Sequence, residues 1–127
     1  MKIYKLNPYA NLYTTSALIQ NNDRKYYAVL LIDSGSSFTI LNPDILENLN
    51  IDTTSGKKQR IITASGHEFC QKVLTDYFYC FGKKVKNFPL LSHSVPLGAN
   101  IDGILGMDFL KMFNFNFRIA DGLIESL

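Results

Sequence analysis

Cysteine is scarce. The chain of 127 residues carries two, Cys70 and Cys80, too few for the disulfide framework that staples small secreted domains. Grouping them with His67 and His93 gives a spacing that matches no compact zinc motif. Both read instead as core or half-buried strand residues, and no metal or organic cofactor is expected. An excess of one charge is also lacking. The net charge of +2 gives no ground for nucleic acid or an anionic membrane as an obligatory partner. The basic clusters Lys57-Lys58-Gln59-Arg60 and Lys83-Lys84-Val85-Lys86 stand beside Gly56 and Gly82 and read as solvated turns. No apolar run approaches the roughly 20 residues that cross a bilayer, and Met1-Lys2-Ile3-Tyr4-Lys5-Leu6 has no apolar signal core. The expectation is a cytoplasmic protein without a membrane partner. Gly35 has no following Gly-Lys-Ser/Thr, which excludes a phosphate-cradling loop. A Gly-x-Ser-x-Gly elbow is absent, which argues against a serine hydrolase built on Ser34, Ser36 or Ser37 with His67 or His93.

What is present is apolar and strand-forming. Apolar residues make up 46% of the chain, enough for a sizeable core, and the length suits one domain spanning residues 1–127. Short runs of Tyr, Phe, Val and Ile alternate with Gly, Asn and Asp, the pattern of a small all-β domain. Residues 12–20 read as a strand, 21–24 as a turn, and 26–32 as a strand covered on both faces because its apolar run does not alternate. Residues 38–41 resume a strand. Asn42 and Pro43 then open a short helix as N-cap and first helical residue, carrying Ile45, Leu46 and Leu49 inward. Residues 60–63 and 68–73 form a hairpin about Ala64-Ser65-Gly66-His67. Residues 75–81 and 85–91 form another about Gly82-Lys83, and 115–119 and 123–127 a last one, with a short helix at 107–113 between.

Two segments carry chemistry. Asp33-Ser34-Gly35-Ser36-Ser37 follows directly on the apolar strand. A carboxylate at the edge of a core costs free energy unless donors surround it, and Gly35, lacking a Cβ, lets its amide come close. Taken alone, the tripeptide reads rather as an Asp that hydrogen-bonds its own turn. The second segment, Ile101-Asp102-Gly103-Ile104-Leu105-Gly106-Met107-Asp108-Phe109-Leu110, is an apolar pair, a glycine and a helix start.

In this order the two segments resemble the retropepsin-like aspartic proteases. That family has two apolar residues before Asp-Ser/Thr-Gly-Ala/Ser, and later an apolar pair, Gly and a short helix. A flap hairpin lies between, a place filled here by residues 61–69. The likeness covers residues 17–127 and leaves 1–13 unassigned. Residues 101–127, with Ile-Leu-Gly-Met-Asp-Phe-Leu and a closing hairpin, look more like the cellular, DNA-damage-inducible type than the retroviral enzymes. The resemblance implies an all-β fold: a small closed or orthogonal β-barrel of the acid protease type, with one or two short helices and a flap. It implies that Asp33 is the catalytic aspartate, that Ser34 braces the two active-site loops across a dimer, and that Gly35 presents backbone to the substrate. Ser36 would donate to Asp33 and favour an acidic optimum. Ala64, Ser65 and Gly66 would form the flap tip over the substrate, and Ile104-Leu105-Gly106 would pack beneath the catalytic loop. Phe38, Ile62 and Leu97 are candidate pocket linings. Ser37-Phe38 and Met107-Asp108 depart from the viral pattern, so viral substrate contacts and dimer ion pairs do not carry over.

The stoichiometry stands apart from the family name. Peptide hydrolysis of this kind needs two carboxylates sharing a proton, one activating water and one polarising the carbonyl. Only one Asp-Ser/Thr-Gly occurs; Asp52-Thr53-Thr54 lacks the glycine and Asp102-Gly103 the hydroxyl residue. A second copy must supply the second Asp33, in a two-fold homodimer acting on a peptide or protein substrate. Residues 113–127 are long enough to pair across that axis. The competing reading is a catalytically silent module of the same fold that dimerises or binds extended peptides.

Overall fold

The computed structural model describes residues 1–63, 66–95, 98 and 100–127. The chain opens with β1 (Lys2–Lys5) and β2 (Asn7–Tyr9), then runs a long hairpin of β3 (Leu12–Asn21) and β4 (Arg24–Ile32). Asn22 makes the turn at φ 55°, a left-handed conformation that Asn tolerates, and its amide donates to Asp76 Oδ2 at 2.6 Å. β4 is followed by β5 (Ile40–Leu41) and α1 (Pro43–Asn48). Next come β6 (Lys57–Thr63), β7 (Gly66–Leu74), β8 (Tyr77–Cys80), β9 (Lys83–Lys86) and β10 (Pro89–Ser92). The chain ends with β11 (Gly103–Leu105), α2 (Met107–Leu110), β12 (Phe115–Arg118), a 3-10 turn over Ile119–Asp121 and β13 (Leu123–Ser126).

Most strands join one sheet in the order β6-β7-β10-β5-β11-β4-β3-β8-β9, with β2 added to β3. The sheet curls as a half-barrel. A second sheet has the order β1-β13-β12. The mostly-β architecture with two short helices is the expected class. Inside the curl, Ile19, Leu30, Leu41, Leu46, Phe78, Leu105, Phe109 and Ile124 form one apolar cluster. Phe109 is its hub, with ring centroids 5.2 Å from Phe78, 5.9 Å from Phe88 and 5.8 Å from Phe115. Aromatic groups of this size dominate the apolar area withdrawn from water.

Several local expectations change. α1 starts at Pro43 and buries Ile45 and Leu46, but Asn42 makes no side-chain cap. Its Oδ1 accepts from the Val95 amide at 2.8 Å instead. The helix's last carbonyls are satisfied from outside, by Asn21 Nδ2 on Leu49 O and Arg24 Nη1 on Asn48 O. Both basic clusters lie in strands rather than turns, in β6 and β9. The hairpin expected over residues 75–91 stops early. Phe81 and Gly82 turn at φ 50° and 73°, the left-handed pair that a two-residue hairpin requires. Asn87 at φ 54° then breaks the strand, and β10 leaves to pair antiparallel with β7 and parallel with β5. Residues 1–13, unassigned by sequence, contribute β1 to the second sheet and β2 to the first.

Candidate active site

Asp33 ends β4. β4 runs parallel to β11, pairing Leu31 with Ile104 and Ile32 with Leu105, and the Asp33 amide extends that ladder by donating to Leu105 O at 3.1 Å. The segment Ile104-Leu105-Gly106 therefore does lie alongside the Asp33 loop. The loop closes when the Ser36 amide donates to Asp33 O at 3.1 Å. The Gly35 amide donates to Asp33 Oδ1 at 2.9 Å, and a Cβ built on Gly35 would stand 3.2 Å from that same oxygen, so the close approach suits glycine. Asp33 is half-buried, while Ser34, Gly35 and Ser37 are exposed. The Ser34 hydroxyl has no partner within the described residues.

Ser36 does not do what the sequence suggested. Its hydroxyl donates to Phe38 O at 2.8 Å and so is turned away from Asp33. Its carbonyl accepts from the Met107 amide at 2.7 Å, which docks the start of α2 on the Asp33 loop. Gly106 makes this docking possible. A Cβ there would collide with the Phe38 carbonyl and crowd Ser36 O at 3.0 Å.

A buried polar brace at the same place escaped the sequence reading. Thr39, 1% exposed, donates from Oγ1 to Asp108 Oδ1 at 2.7 Å and from its amide to Asp108 Oδ2 at 3.1 Å. Thr39 Oγ1 in turn accepts from the Gly106 amide at 3.1 Å. The available signal was a threonine inside an apolar strand and an aspartate in the first turn of a helix otherwise apolar.

The other aspartates considered are committed elsewhere. Asp102 Oδ2 accepts from the Val29 amide at 2.8 Å, and Oδ1 faces the Tyr26 hydroxyl at 3.5 Å. Burial, then the Asp102 charge, pushes the Tyr26 phenol up. Asp52 folds its carboxylate onto the Ser55 hydroxyl and the Thr54 amide and hydroxyl, which hold it down at about 2. It lines a cleft of about 620 Å³ at the base of β6 and β7, with Lys57, Lys72 and Leu74, and no residue of the Asp33 loop lines that cleft.

The β6–β7 hairpin packs against the segment that follows the Asp33 loop. Ala64 and Ser65 lie outside the described residues, as does Leu97. Gly66 is exposed at φ 115°, a conformation that favours glycine. Strand alternation settles which isoleucine faces inward. Ile61 packs with Phe38, Val95 and Ile104 on the small cluster of Ile40, Cys70 and Leu91. Ile62 points the other way and is 77% exposed, so the inward apolar lining of the hairpin is Ile61. Glu68, paired with Ile61 in the register, meets His93 Nε2 at 3.0 Å and ties the hairpin to the end of β10. With His93 on Glu68 and the Ser36 hydroxyl on Phe38 O, no serine–histidine hydrogen bond forms among the described residues. Nor does any group of three His, Cys, Asp or Glu side chains gather as a metal would require among them. Cys80, buried, is pushed up to about 12.

Residues 18–109 match the aspartyl protease family. The chain belongs to that family. Among solved structures it is similar to a retropepsin-like aspartic protease from Rickettsia conorii, with a TM-score of 0.72 at 21% identity over 97% of this chain and 88% of that one. The EIAV protease complexed with an inhibitor matches with a TM-score of 0.57 at 21% identity, over 86% of this chain and 91% of that one. The retroviral protease-like domain of Ddi1 from Leishmania major matches with a TM-score of 0.55 at 16% identity, over 91% and 87%. No curated protein matches the chain. The fold of this aspartyl protease family member is retropepsin-like. No helix among the described residues is long and apolar enough to cross a membrane.

Proposed function

We propose that the chain is an aspartic endopeptidase that acts as a homodimer. A water held between two Asp33 carboxylates, one from each subunit, attacks the scissile carbonyl. One carboxylate takes the water's proton and the other, protonated, polarises the carbonyl oxygen. The observation that carries this reading is the placement of Asp33. It directly follows β4, on a loop held by Leu105 O and docked against Gly106, and the sequence has a single Asp-Ser/Thr-Gly. Gly35 would give its backbone to the substrate. Ser34, whose hydroxyl has no partner among the described residues, would brace the partner's loop. The flap tip of Ala64, Ser65 and Gly66 would cover the bound peptide, and the apolar wall of Phe38, Ile61 and Ile104 would receive its side chains. No cofactor is needed, because the nucleophile is water.

β13 is flanked on both sides within its own chain, by β1 and by β12. Residues 113–127 therefore offer no free β13 edge, and a sheet across the two-fold axis would grow from the outer edge of β1 or β12.

Subunit mixing tests the shared site. Adding excess Asp33→Asn chain to the wild type should suppress turnover beyond simple dilution, since each mixed dimer has one carboxylate. Activity that is indifferent to the added variant, with subunit exchange verified, would refute a site built from two chains.

A further inference from the structure

Tyr27 lies on β4, whose sequence reads as apolar and covered, yet it is 70% exposed. The strand is enclosed only towards its end, at Leu30 and Leu31. The register continues outward from Tyr27. It pairs with Leu18, Leu18 with Tyr79, and Tyr79 with Lys84. The adjacent row on the same face is Lys25, Gln20, Tyr77 and Lys86. Paired residues share a sheet face, and the opposite face of these strands buries Ala17, Ile19, Ala28 and Phe78. Three tyrosines and three lysines thus stand together on an open face, and neither row contains an acid.

The lysines are not neutralised locally. Lys84 Nζ sits 4.1 Å from the Tyr77 ring centroid and 5.5 Å from that of Tyr79. Lys25 and Lys86 enter no ion pair among the described residues. Among the described residues β9 ends the sheet order and pairs only with β8. Lysines on such an edge repel ordinary strand partners, and an extended chain rich in Asp or Glu is the partner that they favour by charge.

We propose that this face is an exosite for an acidic, extended segment of a protein substrate; the word substrate rests on the function proposed above. Carboxylates of the segment pair with Lys25, Lys84 and Lys86, and its remaining atoms lie against Tyr27, Tyr77 and Tyr79. Single-stranded nucleic acid fits less well. It binds by stacking bases on open aromatic faces, and Lys84 already lies over two of the three rings. Tyr27 precedes Asp33 by six positions on one strand, about 20 Å at the rise of an extended chain. The acidic segment is therefore remote from the scissile bond in sequence, and the exosite selects substrates without touching the cleavage chemistry.

The test uses the full chain carrying Asp33→Asn, so that binding is read without turnover. The probe is a fluorescent peptide of alternating glutamate and threonine. Controls are the same peptide with lysine for glutamate and a short oligothymidylate. Salt-sensitive binding of the acidic peptide, weakened about tenfold or more by Lys84→Glu with Lys86→Glu, is the expected result. Equal binding to the charge-reversed protein, no binding at all, or binding of oligothymidylate in place of the peptide overturns the proposal. In the wild type, the charge reversal should leave cleavage of a short neutral peptide unchanged. It should also abolish the preference for the same peptide extended by an acidic tail; an undiminished preference overturns the proposal. Lysine-dependent binding supports the surface whether or not the wild type cleaves, whereas absence of turnover counts against the function alone.

Discussion

The hydroxyl of Thr39 meets the carboxylate of Asp108 at 2.7 Å, and through this pair the strand after the Asp33 loop is fastened to the helix docked on that loop. The Gly106 amide completes the brace on Thr39 Oγ1. Replacing Thr39 by Val keeps the shape and removes the hydroxyl, leaving the Gly106 amide without its acceptor and Asp108 Oδ1 with the Phe109 amide alone. A loss of about 1–3 kcal/mol is expected in chemical denaturation, whereas Thr39→Ser should keep most of the stability.

Gly106 is the second structural prediction. Gly106→Ala drives a methyl group into the Phe38 carbonyl. Backbone must move, so a destabilisation of about 1–3 kcal/mol or more is expected, read as a lower thermal midpoint. An unchanged midpoint would mean that α2 is not packed this tightly on the loop.

These residues show what a single sequence can and cannot disclose. The placement of Asp33, the support from Ile104-Leu105-Gly106 and the all-β class were legible, because each depends on local order along the chain. The Thr39–Asp108 brace was not, since its members are distant in sequence and each has an ordinary local reading. Ser36 was misjudged for a related reason. Its hydroxyl takes Phe38 O as acceptor, a choice set by the loop's path and not by the local sequence. The face of Ile62 follows from the register of one hairpin, which composition does not reveal. The exposure of Tyr27 was hidden because a non-alternating apolar run looks the same whether one or both of its faces are covered.

Cys80 gives a prediction in pH. Its thiol has an ordinary value of 9.0 and is pushed up to about 12 by burial. Below about pH 9 it is protonated in both the folded and the unfolded chain and leaves stability unaltered. Between the two values the unfolded chain releases the proton and the folded one keeps it, so stability falls as pH rises, by up to about 1.4 kcal/mol per pH unit for this one group. Urea midpoints of wild type and Cys80→Ala, compared from pH 8 to pH 11, should converge as the wild type loses this contribution. A constant gap between them would contradict the burial of the thiol.

Gly35→Ala tests the catalytic loop without touching its carboxylate. The added methyl would crowd Asp33 Oδ1 at 3.2 Å and displace the amide that now donates to it. A fall in kcat of roughly tenfold or more is expected with little change in unfolding midpoint, measured on any peptide that the wild type cleaves.

The most direct measurement is cleavage of a mixed peptide library from about pH 3 to pH 7.5, with Asp33→Asn as control. The expected result is cleavage by the wild type alone, with a bell-shaped profile on the acid side of neutrality, where the paired carboxylates hold one proton between them. Absence of cleavage by either protein, at concentrations where the chain is shown to be dimeric, would contradict an aspartic endopeptidase and leave a silent peptide-binding module of the same fold.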